Sequence, residues 1–409
     1  MMAIPRPLAW LLLVASIACR GGEGDARGLA IRALDPLASP AAPGSGEPNL
    51  ATGPDERVYL SWLEPVGDTA HALRFAILEA DGWSTPRTIA QGSSFFVNWA
   101  DFPSIVAGQG NRVAAHWLQR SDTARYAYGV RIAQSFDGGT TWNPAVTPHR
   151  DGSATEHGFV SLFAVRDSLG AVWLDGRSFA GASEGSHPNM MLMTTKLAGD
   201  GSTGAERVLD ERVCDCCQTS LAIAASGPVV VYRDRSPDEI RDISIIRWTD
   251  GGWTRPVSVH PDQWKIDHCP VNGPAVSADG DYVAVAWFTS SGDSGRVYLA
   301  QSADGGATFA APLRIDDGNP VGRVDVASHG TSAIVSWMEF TSERQAEVRL
   351  RAVSRSGRLG EPTVVARSSG ERASGFPHIA VSRGHLIIAW TEAGSPPRVR
   401  VARTQLGAD

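Results

Sequence analysis

The sequence has no run of Lys and Arg dense enough to neutralise a nucleic-acid backbone. Its 37 basic residues are scattered and set against 44 Asp and Glu, for a net charge of −7. This argues against nucleic acid as a partner. Lysine itself is nearly missing, with Lys196 and Lys265 the only two; we read that bias as genomic base composition and give it no functional weight. Beyond the N-terminus no stretch approaches eighteen consecutive apolar residues, which excludes a membrane-spanning helix there. A mostly helical fold is excluded too, because 43 Gly and 25 Pro favour turns over helix interiors. Apolar residues, by contrast, are plentiful. Hydrophobic residues make up 43% against 20% charged, enough for a large core and too little charge for disorder.

The N-terminus reads as an address. Residues 1–18 place one Arg before the apolar run LAWLLLVASIA, a secretory signal too short to span a bilayer. Its end, Ser16-Ile17-Ala18-Cys19, resembles the lipobox of bacterial lipoproteins, with Ser16 where Leu is usual. We therefore expect a signal peptide over 1–18, lipidation at Cys19, a flexible tether over 19–27 and one domain over 28–409. That implies an exported, lipid-anchored protein of the bacterial cell envelope, touching the membrane through the anchor alone.

A short apolar strand ending in an aromatic and then a polar or charged residue recurs seven times. The aromatics are Trp62, Trp117, Trp173, Tyr232, Trp287, Trp337 and Trp390, at spacings of 55, 56, 59, 55, 50 and 53. Such a period, built from strands, means a β-propeller or a solenoid, because one unit cannot bury its own faces. Four strands can be read in the second unit, PSIVAGQ, RVAAHWLQ, YGVRIAQS and WNPAVTP. The last unit offers only three before the chain ends, and a free edge invites aggregation. We expect an all-β propeller of seven four-stranded blades, closed by the N-terminal segment GLAIRALDPL (28–37), with six blades and one appended unit as the fallback.

Residues 135–142, SFDGGTTW, and 302–309, SADGGATF, fit the pattern S-x-D-x-G-x-T-W, and shorter versions end at Trp83 and Trp253. In these turns the chain resembles the sialidase superfamily of Asp-box (BNR-repeat) β-propellers. The resemblance implies a propeller fold in which such boxes are structural. It also implies a site of three Arg clamping a sugar carboxylate, a Tyr polarised by a Glu, and an Asp acid/base. The position of the first Arg, normally opening R-I-P, is Gly46-Glu47-Pro48. Glu64 and Asp68 match the acidic residue and the acid/base in order, while no Arg opens Asp101-Phe102-Pro103 or Gly375-Phe376-Pro377.

In a propeller, residues that begin inner strands and end second strands converge on one axial face. This selects Asp101, His157, Asp175, Arg177, Arg233, Asp234, Arg235, His268, Asn272, Arg323, Asp325 and His378 as candidate ligand contacts. The densest charge cluster runs from Tyr232 to Ile243, either a ligand-binding loop or a solvated run whose charges satisfy one another. Setting Cys19 aside leaves Cys214, Cys216, Cys217 and Cys269, an even count in an exported chain. The oxidising compartment favours two disulfides, or one disulfide plus free thiols, over a soft metal such as copper or zinc, and at least one bridge from the 214–217 cluster to Cys269 is expected. The function that follows is binding of a glycan or other small polar ligand in the central funnel, with no cofactor. Alternatives are an active sialidase-like exo-glycosidase and a metal or redox protein using the cysteines, and a protein partner is compatible with all three.

Overall fold

The computed structural model describes residue 1 and residues 30–165, 168–183, 188–342 and 344–407. The rest of the signal segment, Cys19 and the tether over 19–27 lie outside the described residues. Seven antiparallel sheets follow one another along the chain. Their inner strands are Gly46–Thr52, Ser104–Ala107, His157–Val165, Ser220–Ala224, Ala275–Asp279, Pro320–His329 and His378–Ser382. Each packs against the next, and the seventh packs against the first. The ring is a seven-bladed β-propeller.

The second strand of each blade lies between two neighbouring sheets, so both its faces are covered, which is why these strands read as unbroken apolar runs rather than alternating ones. Gly227–Arg233 is buried at every residue after the first. The phased aromatics sit on these strands, and Trp62, Trp173, Trp287 and Trp337 are fully buried. Core clusters mix adjacent blades: Leu60 and Trp62 of the first blade pack with Ile387, Ala389, Val399 and Val401 of the seventh. Removing such area from water is the principal stabilisation of the ring.

The outer position of the seventh blade is filled from the other end of the chain. Asp35–Leu37 pairs antiparallel with Arg398–Gln405, setting Asp35 opposite Arg403 and Leu37 opposite Val401. Pro36 lacks a donor and is tolerated because this is an edge. The second blade departs from the four strands its sequence suggests. It has three, and WNPAVTP contributes only a bridge in which Ile132 and Val146 exchange backbone hydrogen bonds at 2.9 Å. Pro144 and Pro148 flank that bridge and cannot donate, which ends the ladder on both sides.

The turns at 135–142 and 302–309 fold alike, on the face opposite the starts of the inner strands. Asp137 Oδ1 accepts from the Thr140 and Thr141 amides at 3.0 and 2.9 Å, and Asp304 Oδ1 accepts from those of Ala307 and Thr308 at 2.9 Å each. The hydroxyls of Ser135 and Ser302 accept from Gly139 and Gly306 at 2.8 and 2.9 Å. These glycines have φ of 81° and 80° and touch the preceding blade: a Cβ on Gly139 would lie 2.3 Å from Phe75, and one on Gly306 2.8 Å from Ile245. Only Gly meets both demands. Each turn therefore docks its blade onto the third strand of the one before.

Candidate functional site at the axial face

Several inner strands begin with a kink. Glu47, Phe159 and Arg323 have φ of 50°, 52° and 53°, and the strand register slips between Gly46 and Asn49, Gly158 and Ser161, and Gly322 and Asp325. Val271, just before the fifth inner strand, has φ of 48°. A bulge at this point re-aims the side chains around it, so the polar residues at strand starts face either the axis or the next blade.

Many of the residues selected from the sequence face the next blade. Asp101 is fully buried; its Oδ1 accepts from the Phe159 amide at 2.7 Å and its Oδ2 lies 3.0 Å from the Tyr128 hydroxyl, tying the second blade to the third. Burial pushes its carboxyl up to about 8. Asp325 Oδ2 accepts from the Ile379 amide at 2.8 Å, sixth blade to seventh. Asn272 Oδ1 accepts from the Arg323 amide at 2.8 Å. Arg233, 1% exposed, donates to the carbonyls of Asn272, Arg241 and Phe288 at 2.9, 2.6 and 2.6 Å and stacks on Trp264. Arg323, 4% exposed, donates to the carbonyls of Gly375, Gly370 and Glu371 at 3.0 to 3.1 Å and lies over Trp99. These guanidiniums cap blade ends, because a carbonyl left without a donor in the interior is costly.

The acids that end second strands have a shared duty. The indole N–H donates to Glu64 from Trp62 at 2.8 Å, to Asp175 from Trp173 at 2.8 Å and to Glu339 from Trp337 at 2.6 Å. Glu64 is in addition bound by Arg74. Asp68 sits on the exposed hairpin between Val58–Val66 and Ala70–Glu79, so the two matched acids differ in setting. Exposed His268 pairs with exposed Asp267 at 3.1 Å, and His378 Nδ1 lies 3.4 Å from Asp325. Asp234 accepts from the Ser244 hydroxyl at 3.0 Å, and burial and Asp210 raise its carboxyl to about 6.

An ionisable network remains at the mouth of the third and fourth blades. The Tyr128 hydroxyl donates to Glu156 Oε1 at 2.6 Å. Burial first, and then the charge of Asp215, raise the Glu156 carboxyl to about 7. Asp215 is raised by burial as well. Arg235 reaches Asp215 at 3.2 Å and Glu239 at 2.8 Å, and Arg241 reaches Glu239 at 2.9 Å. Alongside, Arg177 binds Asp175 and Glu206, both at 2.7 Å. His157 presents Nδ1 to the Thr155 carbonyl at 3.1 Å and Nε2 to Asp151 at 3.1 Å and Asp175 at 3.6 Å. His149 stacks on His157 at 3.8 Å, and burial holds its imidazole down near 4.

The cysteines border this network. Cys214 pairs with Cys217 and Cys216 with Cys269, with Cα separations of 5.8 and 6.2 Å, so one bridge spans the approaches to the fourth and fifth blades. Tyr128, His149, Asp151, Glu156 and Glu206 were not selected from the sequence. Glu156 was within reach, since it immediately precedes His157 at the same strand start.

Chemically, this mouth offers hydroxyl-binding groups fixed in place: carboxyls that donate or accept near neutral pH, and guanidiniums each already held by an acid. Among the described residues the guanidiniums of Arg177, Arg235 and Arg241 are each held by an acid, so these three do not form a free clamp for a carboxylate. No family model matches the chain and no curated protein matches it. Among solved structures it is similar to an α-L-arabinanase of Penicillium chrysogenum, with 12% identity over 92% of this chain and 99% of that one and a TM-score of 0.50. It is also similar to the NanB sialidase of Streptococcus pneumoniae, with 10% identity over 86% and 83% and a TM-score of 0.46, and to an ulvan lyase, with 12% identity over 79% and 80% and a TM-score of 0.45. At such identities the likeness is one of fold, and the chain has a β-propeller fold.

Proposed function

We propose that this propeller binds a neutral, hydroxyl-rich glycan at the mouth of its third and fourth blades. The observation that carries the proposal is the run of half-buried groups Glu156, Asp215, Arg235 and Glu239 between buried Tyr128 and buried Arg241, joined by hydrogen bonds and ion pairs and, from Glu156 to Asp215, by charge. Sugar hydroxyls need donors and acceptors already oriented, which paired acids and guanidiniums supply. An anionic sugar needs unpaired positive charge, and Arg177, Arg235 and Arg241 are each bound by an acid of the same mouth. The propeller folds of glycan-acting neighbours are compatible with such a ligand.

Glycan-array binding by the purified protein tests it. Binding of neutral glycans, lost in Arg235→Ala, is expected; preference for sialylated glycans, or no binding, defeats it. Hydrolysis is a second reading, favoured by the Glu156 carboxyl near 7, which suits a general acid at neutral pH. Release of reducing sugar that disappears in Glu156→Gln supports it, and binding without release counts against it.

We place the export signal over 1–18, the lipid on Cys19, the tether over 19–27 and the single domain over 28–409 in the same proposal, and take the two SxDGGxT turns as Asp-boxes. Mass spectrometry of the mature N-terminus from the producing cell is expected to find an acylated Cys19; an unmodified residue there removes the anchor.

A further inference from the structure

The four cysteines share one small volume although they come from two segments of chain. The sulfurs of Cys214, Cys216 and Cys217 all lie within 4.8 Å of one another, and that of Cys269 is joined to Cys216. Contacts that do not involve sulfur hold the two segments to each other and to the surrounding blades. The Cys214 amide donates to Arg233 at 3.0 Å, the Gln218 side chain accepts from the Gly273 amide at 2.8 Å and donates to the Ala100 carbonyl at 2.6 Å. A Cβ on Gly273 would sit 2.1 Å from the Gln218 carbonyl oxygen, so the segments run in contact. The sulfur positions are thus framed by the propeller itself.

Beside them lies a buried positive charge. Arg241 is 2% exposed, and its Nη1 lies 3.6 Å from the Cys214 sulfur. Its Nη2 is held by Glu239, and its Nε is buried without a hydrogen-bond partner. A disulfide is a neutral, weak acceptor and gives this guanidinium little; thiolates would give it a charged acceptor. Cys269 is exposed, Cys216 half-buried and the other two buried, so one side of the cluster opens to solvent.

We propose that Cys214, Cys216, Cys217 and Cys269, as thiols, form a tetrathiolate site for one thiophilic d10 ion, Zn2+ or Cu+, and that the two disulfides are the oxidised, metal-free form of the same site. Tetrahedral coordination at about 2.3 Å from metal to sulfur sets the sulfurs about 3.8 Å apart; those of Cys214, Cys216 and Cys217 already lie within 4.8 Å of one another, and Cys269, next to Cys216, supplies the fourth corner. Each thiol that binds releases its proton to solvent, and the metal step consumes no electrons. The oxidised form arises when each cysteine pair gives two electrons and two protons to a disulfide oxidant such as oxidised glutathione. Arg241 offsets part of the negative charge of the four thiolates.

The test uses the full chain prepared without oxygen, reduced and stripped with a chelator, then given one equivalent of Zn2+ or, separately, of Cu+. Native mass spectrometry is expected to show one ion per chain in at least one arm. With that ion bound, Cys214, Cys216, Cys217 and Cys269 are all expected to resist iodoacetamide, and removing it with a stronger chelator restores their labelling. Cys269→Ser, at the exposed corner, is expected to weaken retention at least tenfold. Arg241→Gln is expected to weaken it less while leaving the stoichiometry at one. Should Arg241→Gln not fold, the labelling pattern of the unsubstituted chain decides alone. No retained ion in either arm, or an ion retained while the cysteines label freely, overturns the proposal. Neither readout involves a glycan, so the outcome stands apart from that of the glycan array.

Discussion

Equivalent positions of the ring have been put to opposite uses at its two sides. Where the sixth blade meets the seventh, the mouth is closed: Arg323 is buried, stacked on Trp99, and its N–H groups end on backbone carbonyls. Trp99, Phe102, Phe376 and His378 pack on one another beside it. Where the third blade meets the fourth, the guanidiniums end on carboxylates, half-open to solvent. An arginine bound to carbonyls cannot be exchanged for a ligand without leaving those carbonyls unpaired. An arginine held by an acid at a half-open mouth keeps its partner and presents an oriented donor and acceptor side by side, to which a sugar hydroxyl can add. The first arrangement is architecture and the second is available for recognition.

That contrast is broken most readily at Arg323. Arg323→Ala leaves the carbonyls of Gly370, Glu371 and Gly375 without this donor and removes a stacked ring contact. It is expected to cost about 3–5 kcal/mol, read as a lower urea midpoint with unchanged slope. A loss below 1 kcal/mol would show that the closed side is no more structural than the open one. Next in size is the Cys216–Cys269 bridge, which encloses a loop with a sequence separation of 53. In the oxidised protein Cys216→Ser with Cys269→Ser is expected to cost about 2–4 kcal/mol, measured by thermal unfolding without reductant.

The open side is sharpened by pH. Burial raises the Glu156 carboxyl from its ordinary value of 4.5 to about 7, so the folded chain holds a proton that the unfolded chain releases. Its contribution is fully present below about 4.5 and is lost as pH rises towards 7. Relative to the unsubstituted protein, Glu156→Gln should therefore gain stability from pH 4.5 to 7 and level off above it, by about 1–3 kcal/mol. A difference independent of pH would mean that this carboxyl is not held up by burial. The smallest effect belongs to Arg235→Ala, where partly exposed ion pairs contribute about 1 kcal/mol or less to stability. Its midpoint should barely move while glycan binding is lost, the reverse of Arg323→Ala.

The fold was legible because its signals are periodic. Seven aromatics in phase marked seven second strands, and the two SxDGGxT turns marked the ends of third strands. The closing strand was legible from a deficit, a last blade short of one strand. In the site, the rule that polar residues at strand starts face the axis found the right places without their roles. Asp101, Arg233 and Arg323 looked like ligand contacts because the sequence names a donor or an acid but not the neighbouring blade's amides and carbonyls that meet it. Glu64 and Asp175 carry a clue that was there to be used. Trp62-Leu63-Glu64, Trp173-Leu174-Asp175 and Trp337-Met338-Glu339 repeat one pattern, and a pattern that recurs from blade to blade belongs to the scaffold. Glu156 and Tyr128 break the repeat, and their meeting across 28 residues of chain has no trace in local spacing.

The pairing of Asp35–Leu37 with Arg398–Gln405 also bears on the order in which the molecule assembles. Every other blade takes its regular strands from one stretch of about 55 residues and can form as that stretch emerges during synthesis. The seventh cannot. Its outermost strand is made first and its partner last, so Asp35 waits for Arg403 through nearly the whole of translation. Until then the growing protein is an open arc with an uncovered apolar face on the first blade as well as on the newest, and the ring shuts in one late, long-range step.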